Sequence, residues 1–295
     1  MIERVIDISE APARLSVRNS LLVIQLESGE NAIPLAEVAA LVVSNPGVTF
    51  THAVLSGLAA AGGIFVACDG RHMPSAMLLP LEGHSTQGER FALQAGVSLP
   101  VLKRLWRDLV RAKVRAQGKV LAELRGNDEG LLQMAGRVLT GNAASIEAQA
   151  SRRYWRELFG DPDFRRNREA EDQNRFLNYG YAVLRAIVAR AICGAGLHPS
   201  FGLHHHNRYD AFRLADDLME PFRPVVDRAV ARNCEEEGAD APLDKEAKKA
   251  LIGALTGRFE AEGESRTLFD IAARMAASLA AVYAGKRKSL VLPEV

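Results

Sequence analysis

The hydrophobic period of this chain changes once along its length, and that change sets what it can fold into. Up to about residue 81, apolar side chains alternate or come in short continuous runs, as strands require. From Leu99 onward they recur every three to four residues, as helices require. The predicted class is α+β: a small β-rich N-terminal domain (residues 1–82), a linker (83–98, rich in Gly, Ser, Thr and Gln) and a larger all-α domain (99–295).

Within the first part, Leu15-Ser-Val-Arg alternates, Asn19-Ser20 offers a turn and residues 21–26 return, which reads as a hairpin. Ala-Leu-Val-Val within residues 33–44 is strand-like, Asn45-Pro46-Gly47 marks a turn, and Thr51 can cap a short helix ending near Gly62-Gly63. Residues 64–68 read as a buried strand, followed by an Asp69-Gly70 turn and a last apolar segment at 77–81. In the second part, residues 99–124 give one long amphipathic helix with Leu102, Leu105, Trp106, Leu109 and Val110 on its core side. Helices are also predicted at 129–139, 143–159, 176–195, 243–255 and 268–284. The run 165–175 is charged and polar except for Ala170, so a mobile charged loop is expected there.

Composition matters at three points. With 48% hydrophobic and 25% charged residues, the chain is not a disordered one. Cys68, Cys193 and Cys234 are too far apart for a Cys-x-x-Cys site or a disulfide framework, and a reducing cytoplasm is expected. No uninterrupted apolar stretch is long enough to span a bilayer, so a soluble protein with no membrane partner is expected. The net charge of +1 hides a split: residues 1–98 carry five Lys/Arg against nine Asp/Glu, and the remainder 32 against 27. Lys103, Arg104, Arg107, Arg111, Lys113, Arg115 and Lys119 are opposed only by Asp108, which makes this helix a candidate polyanion face. The alternative is a solvated helix surface.

Metal-ligand side chains concentrate between Gly196 and Asp227. His204, His205 and His206 follow a glycine- and proline-marked turn, and Asp216, Asp217 and Glu220 follow on a helical stretch. At about 100° per residue those acids lie opposite Leu214, Leu218, Phe222 and Val225, and Pro221 and Pro224 predict a kink beside them. A divalent-metal site is one reading, and the solvated side of a surface helix is the other. Glu147, on the helix behind Asn142, is followed by Arg152 and Arg153, a carboxylate close to phosphate-binding guanidiniums.

Four ordered segments then become specific together: Glu147-Ala-Gln-Ala-Ser-Arg-Arg-Tyr-Trp, Leu177-Asn-Tyr-Gly-Tyr-Ala-Val-Leu-Arg, Gly196-Leu-His-Pro-Ser-Phe-Gly-Leu-His-His and Leu214-Ala-Asp-Asp-Leu-Met-Glu-Pro-Phe-Arg-Pro. They resemble the integrase subunit of CRISPR adaptation, which inserts new spacers, and their particular forms resemble its type II branch. One departure is His198, where many relatives carry aspartate. The resemblance implies a homodimer that clamps double-stranded DNA with a small ferredoxin-like companion subunit, and the type II effector machinery as a further partner. It also implies an endonuclease and integrase that uses Mn²⁺ or Mg²⁺. Carried over by motif, the metal and catalytic residues are Glu147, His205 and Glu220, supported by Asp217, His204 and Asn178. The DNA contacts expected from the charge of the sequence are Lys103, Arg104, Arg107, Arg111, Lys113 and Arg115, then Arg152, Arg153, Arg165 and Arg166. Two competing classes are a plain metal nuclease, which would degrade DNA to small products, and a DNA-binding scaffold whose His and acid residues are only structural. A di-iron bundle is disfavoured because Glu-x-x-His is missing from the candidate helices.

Overall fold

The hairpin expected at residues 15–26 exists because Asn19 and Ser20 both take positive φ, 51° and 61°, the pair of left-handed residues that matches the twist of the flanking strands. In the computed structural model, which describes residues 3–69, 74–80, 83–170, 172–261 and 263–293, it forms strands β2 (Arg14–Arg18) and β3 (Leu21–Leu26). Around it lie β1 (Arg4–Ile8), β4 (Gly29–Pro34), β5 (Val38–Val43), β6 (Thr49–Phe50), α1 (His52–Ala60), β7 (Ile64–Cys68) and β8 (Pro74–Leu78). Thr51 stands at the N-cap of α1, as expected, though its side chain makes no capping bond. Gly70, and so the expected Asp69-Gly70 turn, lies outside the described residues, as does Leu81.

Two four-stranded sheets result. One runs β1-β5-β7-β8, with β8 antiparallel and the others parallel; the other runs β4-β3-β2-β6, with only the β2–β6 pair parallel. All six residues of β5 are buried because both faces of its sheet are covered. Leu41 and Val43 meet Leu15, Leu22 and Leu58 between the sheets, while Ala40 and Val42 join Val5, Ile64 and Val66 in a core that continues into the helices. The architecture therefore changes near residue 82 while the hydrophobic core runs on. Polar contacts reinforce that junction: the Tyr179 hydroxyl donates to Asp7 at 2.7 Å, and Lys248 Nζ to Ser9 Oγ at 3.0 Å.

The helices are α2 (Gln87–Ala95), α3 (Leu99–Arg125), α4 (Leu131–Gly136), α5 (Ala143–Phe159), α6 (Asn174–Gly194), α7 (Arg213–Leu218), α8 (Arg223–Glu237), α9 (Lys245–Thr256) and α10 (Leu268–Tyr283). Three expectations are corrected. The linker at 83–98 contains α2, which docks through polar side chains: Gln94 donates to the His198 carbonyl at 3.0 Å and accepts from the His198 N–H at 2.9 Å. Its polar composition reads as a linker because the surface it binds is loop backbone. The second domain is not all-helical, since β9 (Arg258–Ala261) and β10 (Glu264–Thr267) form an antiparallel hairpin around Gly263, whose φ is +75°. Four-residue strands with alternating charge are too short to show a clear period. The described residues of the charged run 165–175 are pinned rather than loose: Asn174 accepts from Arg166 at 2.8 Å and from the Asn167 N–H at 3.0 Å, and donates to the Arg165 carbonyl at 3.0 Å.

Helix α6 is the central element of the helical part. Among the described residues it alone is long and apolar enough to cross a membrane, and 78% of that apolar window is buried inside the protein. Gly180 on it meets α8 so closely that a Cβ would lie 2.4 Å from Val226 Cγ1. The three cysteines are free, as their spacing predicts.

Candidate functional site

The site forms where α3, α5, the loop 196–212 and the α7–α8 junction meet. Helix α7 stops at Leu218, and Glu220–Phe222 makes a single 3-10 turn before α8 begins at Arg223. That is the kink predicted from Pro221, which has no N–H to offer the Asp217 carbonyl.

The solvated-face alternative for the acids is excluded, because Asp216, Asp217 and Glu220 are 6%, 0% and 4% exposed. Buried carboxylates need partners, and each has found a different one. Asp216 takes two hydrogen bonds of 2.7 Å from the Arg185 guanidinium, and burial nevertheless holds its carboxyl above the usual range. Asp217 accepts from the backbone N–H groups of Leu203 (2.5 Å), His204 (3.0 Å) and His205 (3.4 Å), and its Oδ1 lies 2.5 Å from His205 Nδ1. Asp217 is thus the anchor of the histidine loop. Gly202 permits that anchorage: a Cβ there would come 2.9 Å from Arg213 Cβ and 3.0 Å from Asp217 Oδ2.

The three histidines separate accordingly. His204 stacks on Trp106, ring centroids 4.3 Å apart and planes 9° from parallel. His205 meets the same indole edge-on at 5.6 Å, and His206 is exposed. The Asp217 carboxylate only accepts, so the His205 proton sits on Nδ1 and Nε2 is the nitrogen left for a ligand. That hydrogen bond raises the His205 pKa above its usual value.

Glu220 faces the other way along the turn. Its Oε1 accepts from Arg223 Nε at 3.0 Å, and its Oε2 lies 2.6 Å from the Lys113 ammonium. The same ammonium donates to Glu147 Oε1 at 2.6 Å. Burial alone would raise the Glu220 pKa, but Arg223 and Lys113 outweigh it and pull the carboxyl down to about 2. His205 is near enough to add to that lowering. Glu147, His205 and Glu220, spread over 74 residues of sequence, are therefore gathered in one place, with Lys113 between the two glutamates. Among the described residues, no three His, Cys, Asp or Glu side chains are already arranged as a metal cage. The donor set nonetheless suits a divalent ion: two carboxylates and an imidazole nitrogen, with the two carboxylates already drawn to one cation and Glu220 Oε2 buried 2.6 Å from it.

The expected DNA contacts fare unevenly. Lys113 is corrected: it is 9% exposed and lies inside the site, because α3 is packed by α4, α5, α8 and the 220–222 turn on more sides than a surface helix. Lys103 and Arg115 are exposed, Arg104 is half-buried, Arg107 pairs with Asp108 at 2.6 Å, and Arg111 donates to the Val138 carbonyl at 2.8 Å. Arg152 and Arg153 are exposed beside Arg156 on a groove of about 450 Å³. Arg165 is exposed, whereas Arg166 is tied to Asn174 and, at 2.6 Å, to Asn178. Asn178 thus supports an arginine instead of a ligand. It lines a cavity of about 330 Å³ with Arg166, Arg168, Arg185 and Arg223.

Sequence reasoning missed Asp227. It is 1% exposed on α8 and accepts hydrogen bonds from the Tyr154 and Tyr181 hydroxyls. Both tyrosines stand in the motif segments, and an acid seven residues after Glu220 is the signal that pointed to it. Burial raises its carboxyl to about 7 against the lowering effect of the two hydroxyls. A folded pKa above the unfolded 3.8 means that its contribution to stability is full below 3.8 and is lost as pH rises through about 7. The non-titrating Asp227→Asn protein is therefore expected to melt higher relative to wild type as pH rises from 4 to 7, with a constant difference above that. Melting curves across that range check this, and a pH-independent difference would contradict it.

Comparison with known proteins places the fold and the family. Solved structures with the same fold include a casposase bound to integration product (TM-score 0.79, 18% identity, 97% of this chain and 92% of that one) and a CAS1 protein from Thermotoga maritima (0.75, 17%, 99% and 100%). A chain of a Cas6-RT-Cas1–Cas2 complex also matches, at TM-score 0.78 and 17% identity, over 99% of this chain and 36% of that one. The class is thus the Cas1-like fold. The family model for CRISPR associated protein Cas1 matches residues 6–253, and the chain belongs to that family. It is 34% identical to the CRISPR-associated endonuclease Cas1 of Neisseria meningitidis serogroup C (strain 8013) over 96% of this chain and 93% of that protein. It is 28% identical to CRISPR-associated endonuclease Cas1 2 of Pyrobaculum aerophilum, over 85% and 90%.

Proposed function

We propose that this chain is the metal-dependent DNA integrase of a CRISPR adaptation complex, of the type II branch. The observation that carries the reading is the convergence of Glu147 and Glu220 on one cationic centre beside His205. Mn²⁺ or Mg²⁺ would be held by Glu147, His205 and Glu220, and when bound supplies the positive charge that polarises a phosphoryl oxygen.

The protein's own groups prepare that chemistry. Arg223 and Lys113 keep Glu220 ionised, Asp217 keeps the His205 proton on Nδ1, and the arginine-lined cavity offers guanidiniums to a phosphate backbone. In the reaction, a 3′-hydroxyl of a short duplex attacks a phosphodiester of the repeat. One P–O bond forms, another breaks, and the departing strand leaves with a new 3′-hydroxyl that takes up the proton released by the attacking one. Bond number is conserved, so no covalent enzyme intermediate and no external energy source are needed.

The partners in this reading are double-stranded DNA, a second copy of the chain through the β-rich domain, a small ferredoxin-like companion subunit and the type II effector machinery. The casposase on its integration product and the Cas1–Cas2 complex among the matched folds support the DNA and companion assignments.

The test is a labelled branched DNA that mimics a half-integrated spacer, incubated with Mn²⁺, Mg²⁺ or EDTA. Rejoining of the continuous strand with release of the branch, only with metal, is the expected result. Degradation to small fragments would instead indicate a plain nuclease, and binding without rearrangement the scaffold. DNA affinity is expected to fall with salt, and Lys103→Glu with Arg115→Glu to flatten that dependence by roughly 0.9 in slope for each phosphate no longer neutralised. An unchanged slope in filter-binding assays would make those two cations ordinary solvated surface.

A further inference from the structure

Lys113 stands where the metal reading puts a cation. Its ammonium is 2.6 Å from Glu147 Oε1 and 2.6 Å from Glu220 Oε2, and the residue is buried. Resting on that reading, we propose that Lys113 is an internal counter-cation. It holds the two glutamates together before metal arrives, then yields its place and moves to Asp227.

Sterics and charge require the first half. A divalent ion held by both glutamates would need the place that the ammonium occupies, and two cations would not share it. Before the ion enters, half-buried Glu147 and buried Glu220 would repel each other without the ammonium, and Glu220 would face its desolvation with Arg223 alone. Lys113 removes both costs.

The second half follows from what lies next to it. A displaced ammonium left unpaired in the interior would be strongly unfavourable, so it needs a carboxylate within reach. A cavity of about 130 Å³ is lined by Lys113, Glu220 and Asp227 together with Tyr181, Arg166 and Arg223. Asp227 receives one tyrosine hydroxyl on each oxygen, and a carboxylate with about four lone-pair sites keeps room for another donor. The swing from the two glutamates to Asp227 keeps the ammonium beside a carboxylate in both states. Lys113 is in this role a positioning residue for the metal-binding groups.

The test is Mn²⁺ affinity of the full-length protein by titration calorimetry, for wild type, Lys113→Met, Asp227→Asn and the double variant. Lys113→Met is expected to bind Mn²⁺ at least tenfold more tightly, because the competing cation is gone. Asp227→Asn is expected to bind it several-fold more weakly, because the ammonium has lost its destination. In the double variant the second effect should vanish, which is what coupling through Lys113 means. In EDTA, Lys113→Met should melt below wild type and recover with Mn²⁺; should it not fold without metal, the Asp227→Asn titration still decides the matter. Equal Mn²⁺ affinity in wild type and Lys113→Met overturns the counter-cation role, and unaltered affinity in Asp227→Asn overturns the swing. If neither wild type nor Lys113→Met binds Mn²⁺, the metal reading itself falls.

Discussion

His205→Ala is expected to lose strand transfer by about 10³-fold or more while its melting temperature and duplex affinity stay near wild type. The imidazole side chain is 44% exposed, so its removal opens little cavity and leaves no buried charge unpaired. What it removes is one of the three groups proposed to hold the metal, and several kcal/mol of transition-state charge stabilisation corresponds to a loss of that order. The same loss is expected for Glu147→Gln and Glu220→Gln. The amide is the better substitution at Glu220, because it keeps an oxygen to accept from Arg223, which alanine would leave without that partner in the interior. Strand transfer on the branched substrate, read beside a melting curve, checks all three. Full activity in any one purified variant would remove that residue from the ligand set.

The second large effect is expected at Asp217. Its buried carboxylate takes three backbone N–H groups and the His205 ring, so Asp217→Ala leaves buried donors without an acceptor and frees the loop. The expected cost is on the order of 4 kcal/mol, or roughly 10 °C in melting temperature for a chain of this size. Asp217→Asn separates fold from chemistry. Its amide would donate to His205 Nδ1 and drive the ring proton to Nε2, the nitrogen needed by a ligand. Mn²⁺ affinity should then drop roughly 10- to 100-fold, the usual scale for losing the partner that orients a metal-binding histidine. Calorimetric Mn²⁺ titration of Asp217→Asn checks this, and wild-type affinity in that variant would show that Asp217 supports only the loop.

The contrast between Asp217 and Glu220 shows how much of the site was legible. Sequence spacing put both acids on one helical stretch opposite an apolar stripe, and Pro221 announced the kink between them. Spacing could not say that the stretch is buried on both sides. A helix with polar residues opposite its apolar ones is ordinarily read as half-solvated, and it is the covering by α3, α6 and the histidine loop that turns those polar residues inward. Lys113 shows the same limit from the opposite sign. In sequence it is one of seven cations on a basic helix, and only the packing of α3 against α5 and the 220–222 turn makes it the counter-ion of Glu147 and Glu220.

What the sequence by itself determined is what local chemistry encodes. The change of hydrophobic period separated strands from helices, the Asn19-Ser20 turn set a hairpin register, and the ordered motifs marked the family and the residues proposed to act. What only the tertiary structure decided is everything that depends on contacts between distant segments. Among these are the docking of α2 through Gln94, the core that runs from β5 into the helices, the division of three neighbouring acids among three partners, and the placing of Lys113 and Asp227 on one small cavity. The physical reason is common to them. A side chain's role in an interior is set by which opposite charge or donor the fold brings to it, and partners 12 to 107 residues away leave no periodic trace near the residue they complete.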